Sequence, residues 1–207
     1  MKVLRLDELE GLSVFDTLVW KPVRKKLGVT AFGINAYTAA APGDDVVEDH
    51  SEQTSQHEEL YVVLSGRATF VVDGEEVDAP AGTILFMDHP AQRRAARAVE
   101  AGTTVLAIGG RPGAHSVSAW EYVFPALPHA REGDYARAKA IVLEGIAAIG
   151  EHPELLYQLA CCEAQLGEAD AALDHINAAV RAGDERMREW ARRDEELSPV
   201  RASPRFP

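Results

Sequence analysis

Basic residues are scarce in this chain: 21 Lys and Arg stand against 33 Asp and Glu, a formal net charge of -12 over 207 residues. A phosphate backbone is gripped by a net positive face, so this balance excludes nucleic acid as the expected partner. Long apolar runs are also missing. Nothing approaches the roughly 20 consecutive apolar residues that a membrane span needs, and Met1 to Arg5 lead into acidic residues rather than an apolar signal core. A cytoplasmic protein without membrane contact is expected. Cysteine is limited to Cys161 and Cys162. Adjacent side chains on a helix point about 100° apart, a poor geometry for a disulfide, so burial as small apolar residues is the simpler expectation. A hydrophobic content of 46% with 26% charged residues excludes a largely disordered chain and suffices for one large or two small domains.

What is present is organised around His57 to Gly82. Glu59 to Leu64 and Ala68 to Val72 are rich in Val, Tyr, Phe and Thr, which suit a half-buried pleated surface. Ser65-Gly66 and Asp73-Gly74 supply the turns, and Pro80-Ala81-Gly82 a corner, so the stretch reads as a β-meander. Further strands are expected at the alternating segment with Val3, Leu4 and Leu6, at Val14 to Trp20, at Ala31 to Ala39, at Thr83 to Met87 and at Thr103 to Ile108. Gly33, inside one of them, marks a bulge or a close backbone approach. Eight or nine short strands at this spacing suit a barrel or sandwich rather than alternating βαβ units.

From Asp134 the period changes to 3.6. Ala138, Ile141, Val142, Gly145, Ile146 and Ile149 share one helical face, with Asp134 as N-cap. Leu155, Leu159, Cys162 and Leu166 form a second stripe, and Ala172, Leu173, Ile176, Ala179 and Val180 a third. A more charged helix follows from Glu185 to Leu197. The expected organisation is α+β: a β domain over residues 1–118, an aromatic and proline-rich linker over 119–130, and a helical domain over 131–207. Over Pro153 to Arg186, Leu156, Leu159, Ala160, Gly167, Ala172, Ile176 and Ala179 stand where a tetratricopeptide repeat places its packing residues, so the region resembles a short repeat of that kind. Glu163 and Asp184 depart from its usual Tyr and Pro. The resemblance implies a helical hairpin that docks a protein partner or supports an assembly.

Glu59 and Gly66, then Gly74, Pro80, Ala81 and Gly82, resemble the two motifs of the cupin superfamily. That resemblance implies a cupin-like antiparallel jelly-roll barrel holding a small molecule, and pairing as a homodimer through its sheets. Its usual metal set is two histidines one residue apart, a glutamate a few residues on, and a later histidine. Three imidazoles and a carboxylate suit one divalent ion of the Fe, Mn, Ni, Cu or Zn type. With Glu59 as the motif glutamate, the histidine positions fall on Gln53 and Ser55, or on Glu52 and Thr54. An insertion makes His50-Ser51-Glu52 the degenerate pair, and His57, two residues before Glu59, would share its face on a strand. The later position falls near Gln92 or Arg93, and a guanidinium cannot ligate a metal.

The candidate metal ligands are therefore His50, Glu52, His57 and Glu59. Glu59, His57 and Tyr61 are the candidate acid, base and hydrogen-bond donor. Arg93, Arg94, Gln92 and Glu58 are the candidate ligand-binding residues, with Arg93 or Arg94 either neutralising a buried Glu58 or Glu59 or gripping an anionic ligand. Two functions stand side by side. One is a small-molecule enzyme of oxygenase or isomerase type acting through a degenerate metal set. The other is a non-catalytic scaffold that pairs through its barrel and docks a partner through its helices.

Overall fold

The computed structural model describes residues 2–14 and 18–207. It divides into two compact units, Met1–His115 and Ser116–Pro207. The first contains β1 (Leu12–Val14), β2 (Leu18–Lys21), α1 (Val23–Leu27), β3 (Gly33–Thr38), β4 (Asp45–His50), β5 (Glu58–Ser65), β6 (Arg67–Val72), β7 (Glu75–Pro80), β8 (Ile84–Met87), β9 (Arg94–Ala98) and β10 (Thr104–Gly110). Of the run expected from Val14 to Trp20, residues 15–17 lie outside the described part. The expected strand at Val3 to Leu6 does not form. Leu4 and Leu6 instead join Leu9, Val23, Leu27, Ile34, Ala36 and Leu106 in a small apolar cluster.

The strands form two antiparallel sheets, ordered β1-β2-β3-β10-β5-β8 and β4-β9-β6-β7. From β3 onward this is the strand order of a two-sheet jelly roll. Asp73 and Gly74 both have positive φ, 49° and 91°, the conformation that a two-residue hairpin of matching twist requires. That turn fixes the register of β6 on β7, from Arg67 against Pro80 to Val72 against Glu75. Period two then sends Tyr61 and Val63 of β5, Val105 of β10, Ala68 and Phe70 of β6, and Ala96 and Ala98 of β9 into one shared core. The Tyr61 and Phe70 rings, one from each sheet, lie 5.7 Å apart between centroids.

The second unit is helical: α2 (Trp120–Arg131), α3 (Tyr135–Ile149), α4 (Pro153–Gln165), α5 (Ala169–Ala182), α6 (Glu185–Arg193) and a 3₁₀ turn at Glu195–Leu197. Residues 119–130 are therefore a helix and not a linker. Pro125 and Pro128 lie within it, and Val123, Ala126 and Ala130 are buried against α3. Burial of that apolar face outweighs the backbone hydrogen bonds that the prolines remove. Asp134 caps α3 as expected, accepting from the Arg137 N–H at 3.0 Å. Gly145 of α3 sits where α2 and α4 both press closely: a Cβ there would meet Tyr122 Cγ at 2.7 Å and Leu155 Cδ2 at 3.1 Å. Cys161 and Cys162 are free and wholly buried.

Candidate functional site

The inner faces of the two sheets meet at an ion pair. On β5 the alternation that buries Tyr61 places Glu59 on the same side, and on β9 it places Arg94 beside Ala96. The Arg94 side chain is fully enclosed. Its Nη2 donates to Glu59 Oε2 at 2.5 Å, its Nε to the Tyr61 hydroxyl at 3.3 Å and its Nη1 to the Gln92 carbonyl at 2.8 Å. Tyr61 in turn donates its hydroxyl to the same Glu59 oxygen. A buried charge demands such a set of partners, and this one is a carboxylate, a hydroxyl and a carbonyl.

His50 closes β4 directly opposite Arg94 in the β4–β9 register. Its Nδ1 lies 2.7 Å from the Glu48 carbonyl, which can only accept, so Nδ1 carries a proton and donates it there. The Nε2 side then faces two carboxylates, Glu59 Oε2 at 3.5 Å and Glu52 Oε1 at 3.8 Å. Glu52 follows in the turn after β4 with its side chain four-fifths buried. One ligating atom from each of His50, Glu52 and Glu59 lies within 4.8 Å of the others.

The electrostatics follow from these contacts. Burial alone would raise the Glu59 carboxyl, but hydrogen bonds from His50, Tyr61 and Arg94 outweigh it and bring it down to about 2. The hydrogen bond to Glu59 raises His50 against the opposing effect of burial. Burial and the Glu59 charge push Tyr61 far up, so its hydroxyl stays protonated. Tyr37 of β3, paired with the core residue Val105, is pushed up to about 12 by burial and then by the charges of Glu48, Glu59 and Glu52.

Room beside Glu59 comes from an absent side chain. Gly109 pairs with Glu59 across β10–β5 and with Gly33 across β10–β3. A Cβ on Gly109 would stand 3.1 Å from Glu59 Cγ and 3.3 Å from Oε1. Among the described residues, that oxygen accepts no hydrogen bond. A cleft of about 310 Å³ has Glu59 and Gly109 in its lining, but Glu58, Leu60, Phe86 and Ile108 of the same wall lie on the face of the sheet opposite the Glu59 side chain. Gly33 was legible as a close approach, and its Cβ would meet the Gly109 carbonyl oxygen at 3.2 Å. Gly109 and Tyr37 were missed. Gly109 reads as the end of an apolar strand, and Tyr37 stands out only once period two is counted from Gly33.

Five of the sequence candidates therefore converge: Glu59, Tyr61, Arg94, His50 and Glu52. The others do not join them. Gln56 adopts φ 58° and β5 begins only at Glu58, so His57 lies outside the strand and does not share the Glu59 face. Its Nδ1 stands 3.7 Å from Glu52 Oε2 at the rim, and it is not a member of the ligating group. Arg93 points outward and grips Asp49 with two hydrogen bonds, 2.7 and 2.8 Å. Gln92 turns its side chain to the His89 N–H at 3.3 Å and offers Arg94 only its carbonyl. Glu58 lies on the opposite face of β5 from Glu59. His89 accepts from the Ala91 N–H in a local turn.

No family model matches the chain, and no curated protein matches it. Solved structures similar to about half of it include a cupin protein from Bacteroides fragilis, with 26% identity over 54% of this chain and 91% of that one, at a TM-score of 0.39. A sugar phosphate isomerase of the cupin superfamily from Silicibacter pomeroyi is 20% identical over 53% of this chain and 76% of that one, at a TM-score of 0.44. KdgF from Halomonas sp. is 18% identical over 50% of this chain and 88% of that one, at a TM-score of 0.42.

Proposed function

We propose that the two-sheet unit is a cupin-like domain that binds a small polar or anionic molecule beside Glu59, with a divalent cation held by His50, Glu52 and Glu59. The observation that carries this reading is the fixed His50 ring. With Nδ1–H tied to the Glu48 carbonyl, Nε2 is the ring atom turned to the two carboxylates, where a cation would take the place of its proton, the outer-partner arrangement typical of a metal-bound imidazole. One imidazole and two carboxylates suit an ion of the Mn, Fe or Zn type. Bonds of about 2.0–2.2 Å place such donors roughly 3.0–3.5 Å apart, so the observed 3.5 and 3.8 Å need only a small contraction.

Charge supports the same reading. Glu52 and Glu59 carry two negative charges near the single guanidinium of Arg94, so an anionic ligand is repelled unless a cation intervenes. Arg94 is engaged by Glu59, Tyr61 and Gln92, which favours a neutralising role over a direct grip on ligand. A carboxylate held near pH 2 is a weak proton acceptor, so Glu59 suits ligation better than general-base work. When bound, the ion would supply Lewis-acid polarisation of a ligand oxygen. Tyr61 and Arg94 would fix Glu59 Oε2, and the missing side chain of Gly109 would leave room beside Oε1. Equilibrium dialysis against Mn²⁺ tests the reading. One ion per chain, lost in Glu59→Gln and in His50→Ala, is expected; no retained ion in the unmodified protein would sink it.

The scaffold reading rests on a different observation, the helix spacing. The pairs α2–α3 and α4–α5 begin 33 residues apart, at Trp120 and Pro153, and their second helices 34 apart, at Tyr135 and Ala169. That is close to the tetratricopeptide period, and it gives α2 the place of a first helix that the sequence alone did not supply. On this reading the helices dock a protein segment. Pull-down of a discrete partner by the full chain, lost on Phe124→Asp at the exposed Trp120–Phe124 ring pair, would support it. Unchanged capture in that variant would remove the assigned surface.

A further inference from the structure

The helical unit brings together a second set of ligating atoms, unrelated to the sheets. Cys161 lies on α4, and Asp194 and Glu196 lie where the chain leaves α6. One atom of each, the thiol Sγ and two carboxylate oxygens, falls within 4.8 Å of the others. Cys161 is wholly buried, and both acids are half-buried.

Local structure explains the convergence. α6 ends at Arg193, and Asp194 takes an extended conformation that caps the following 3₁₀ turn, its Oδ1 accepting from the Glu196 N–H at 3.0 Å. That bond turns Oδ2 back toward α4. There it accepts from the Tyr157 hydroxyl at 3.0 Å and lies 3.8 Å from Cys161 Sγ. Gln165, also on α4, donates to the Glu196 main-chain carbonyl at 2.7 Å and pins the turn in place. Arg201 is spent on the Asp194 main-chain carbonyl and stands 3.9 Å from Glu195. Among the described residues, no cationic side chain forms an ion pair with the Asp194 or Glu196 carboxylate.

An independent observation points to a missing occupant. Gln158 precedes Cys161 and Cys162 by three and four residues on α4 and so shares their side of the helix. It is only 6% exposed, yet among the described residues its Nε2 has no hydrogen-bond partner. The amide stands close enough to Glu196 to bear on its charge without making a well-formed hydrogen bond. A buried amide left unpartnered forfeits its hydrogen bonds to water without replacement. Its O and N ends exchange by a simple flip, which would present the oxygen to the same space.

We propose that Cys161, Asp194 and Glu196, with the Gln158 amide oxygen as fourth donor, form a structural site for one zinc-type divalent ion. A thiolate with oxygen donors matches a borderline-soft ion without redox chemistry better than a hard one. Metal–sulfur bonds of about 2.3 Å and metal–oxygen bonds of about 2.0–2.2 Å place tetrahedral donors roughly 3.3–3.6 Å apart, so the 3.8 Å between Cys161 and Asp194 is near the required spacing. Tyr157 would act as outer partner, orienting the Asp194 carboxylate. Binding forms the metal–sulfur bond as the thiol proton passes to solvent, so one proton is released per ion. The ion would tie the segment after α6 to α4.

Titration of the reduced full-length protein with Co²⁺ reads this directly, because only thiolate ligation gives an intense near-ultraviolet sulfur-to-cobalt band. The band is expected to saturate at one equivalent, to persist in Cys162→Ser and His50→Ala, and to vanish in Cys161→Ser. Glu196→Gln is expected to weaken Zn²⁺ binding, measured by competition against Co²⁺, at least tenfold. The unmodified protein needs no variant to fold, so absence of the band at one equivalent of Co²⁺ overturns the site. So does a band that survives Cys161→Ser.

Discussion

At the scale of single residues, the account turns on Glu59 and its three donors. Arg94→Met removes the enclosed cation and leaves a carboxylate facing the core, so a loss of about 3–5 kcal/mol is expected from urea denaturation. Arg93→Met, which breaks only an exposed pair with Asp49, should cost less than about 1 kcal/mol. Equal effects would mean that Arg94 is not the buried partner. The pH dependence has a definite sign. The folded value of Glu59, about 2, lies below its ordinary 4.5, so its stabilisation is complete above pH 4.5 and is lost as pH falls toward 2. His50 is raised above its ordinary 6.5, so its contribution is present below pH 6.5 and fades as pH rises through the folded value. The midpoint difference between the unmodified protein and Glu59→Gln should therefore shrink steadily from pH 4.5 downward. A difference that stays constant over that window would contradict the pairing. Sequence reading offered Arg93 or Arg94 opposite Glu58 or Glu59, and strand alternation on β5 and β9 selects Glu59 and Arg94. That reading could not place His57, because β5 begins only at Glu58, after the positive φ at Gln56, and leaves His57 outside the strand.

At the scale of elements, turns were more legible than contacts. Asp73-Gly74 specifies its hairpin locally, and the register of β6 on β7 follows from it. Helix α2 was not legible, since its two prolines and aromatic composition argue against a helix on local grounds and only its packing on α3 reverses the outcome. Gly145→Ala tests that packing. Alanine favours a helix over glycine by about 1 kcal/mol, but its Cβ would press on Tyr122 of α2 and Leu155 of α4. Overpacking of this kind costs about 1–3 kcal/mol. A net fall in thermal stability is expected, and a rise would mean that α2 does not lie there. The Cys161, Asp194 and Glu196 group was equally hidden, because the positions that meet are more than thirty residues apart and no spacing motif joins them.

At the scale of the whole molecule, the change of period from two to 3.6 separated a sheet unit from a helical unit before any coordinates. The sheet unit ends at His115 rather than at 118, and the helical unit begins at Ser116 rather than at 131. Residues 111–118 are exposed and lie in neither strand nor helix, so brief digestion with a broad-specificity protease should cut first there and leave two resistant fragments. A first cut inside either unit would contradict the division. The chemistry assigned to the sheet unit rests on one property, a cation site built from His50, Glu52 and Glu59. Manganese is the most discriminating probe, because its preference for oxygen and imidazole donors disfavours the Cys161 group. Titration of the full-length protein with Mn²⁺, followed by the loss of the free-ion electron paramagnetic resonance signal, should show one bound ion per chain. That ion should be kept in Cys161→Ser and lost in Glu59→Gln and Glu52→Gln. No bound Mn²⁺, or binding that survives both glutamate substitutions, would contradict the account.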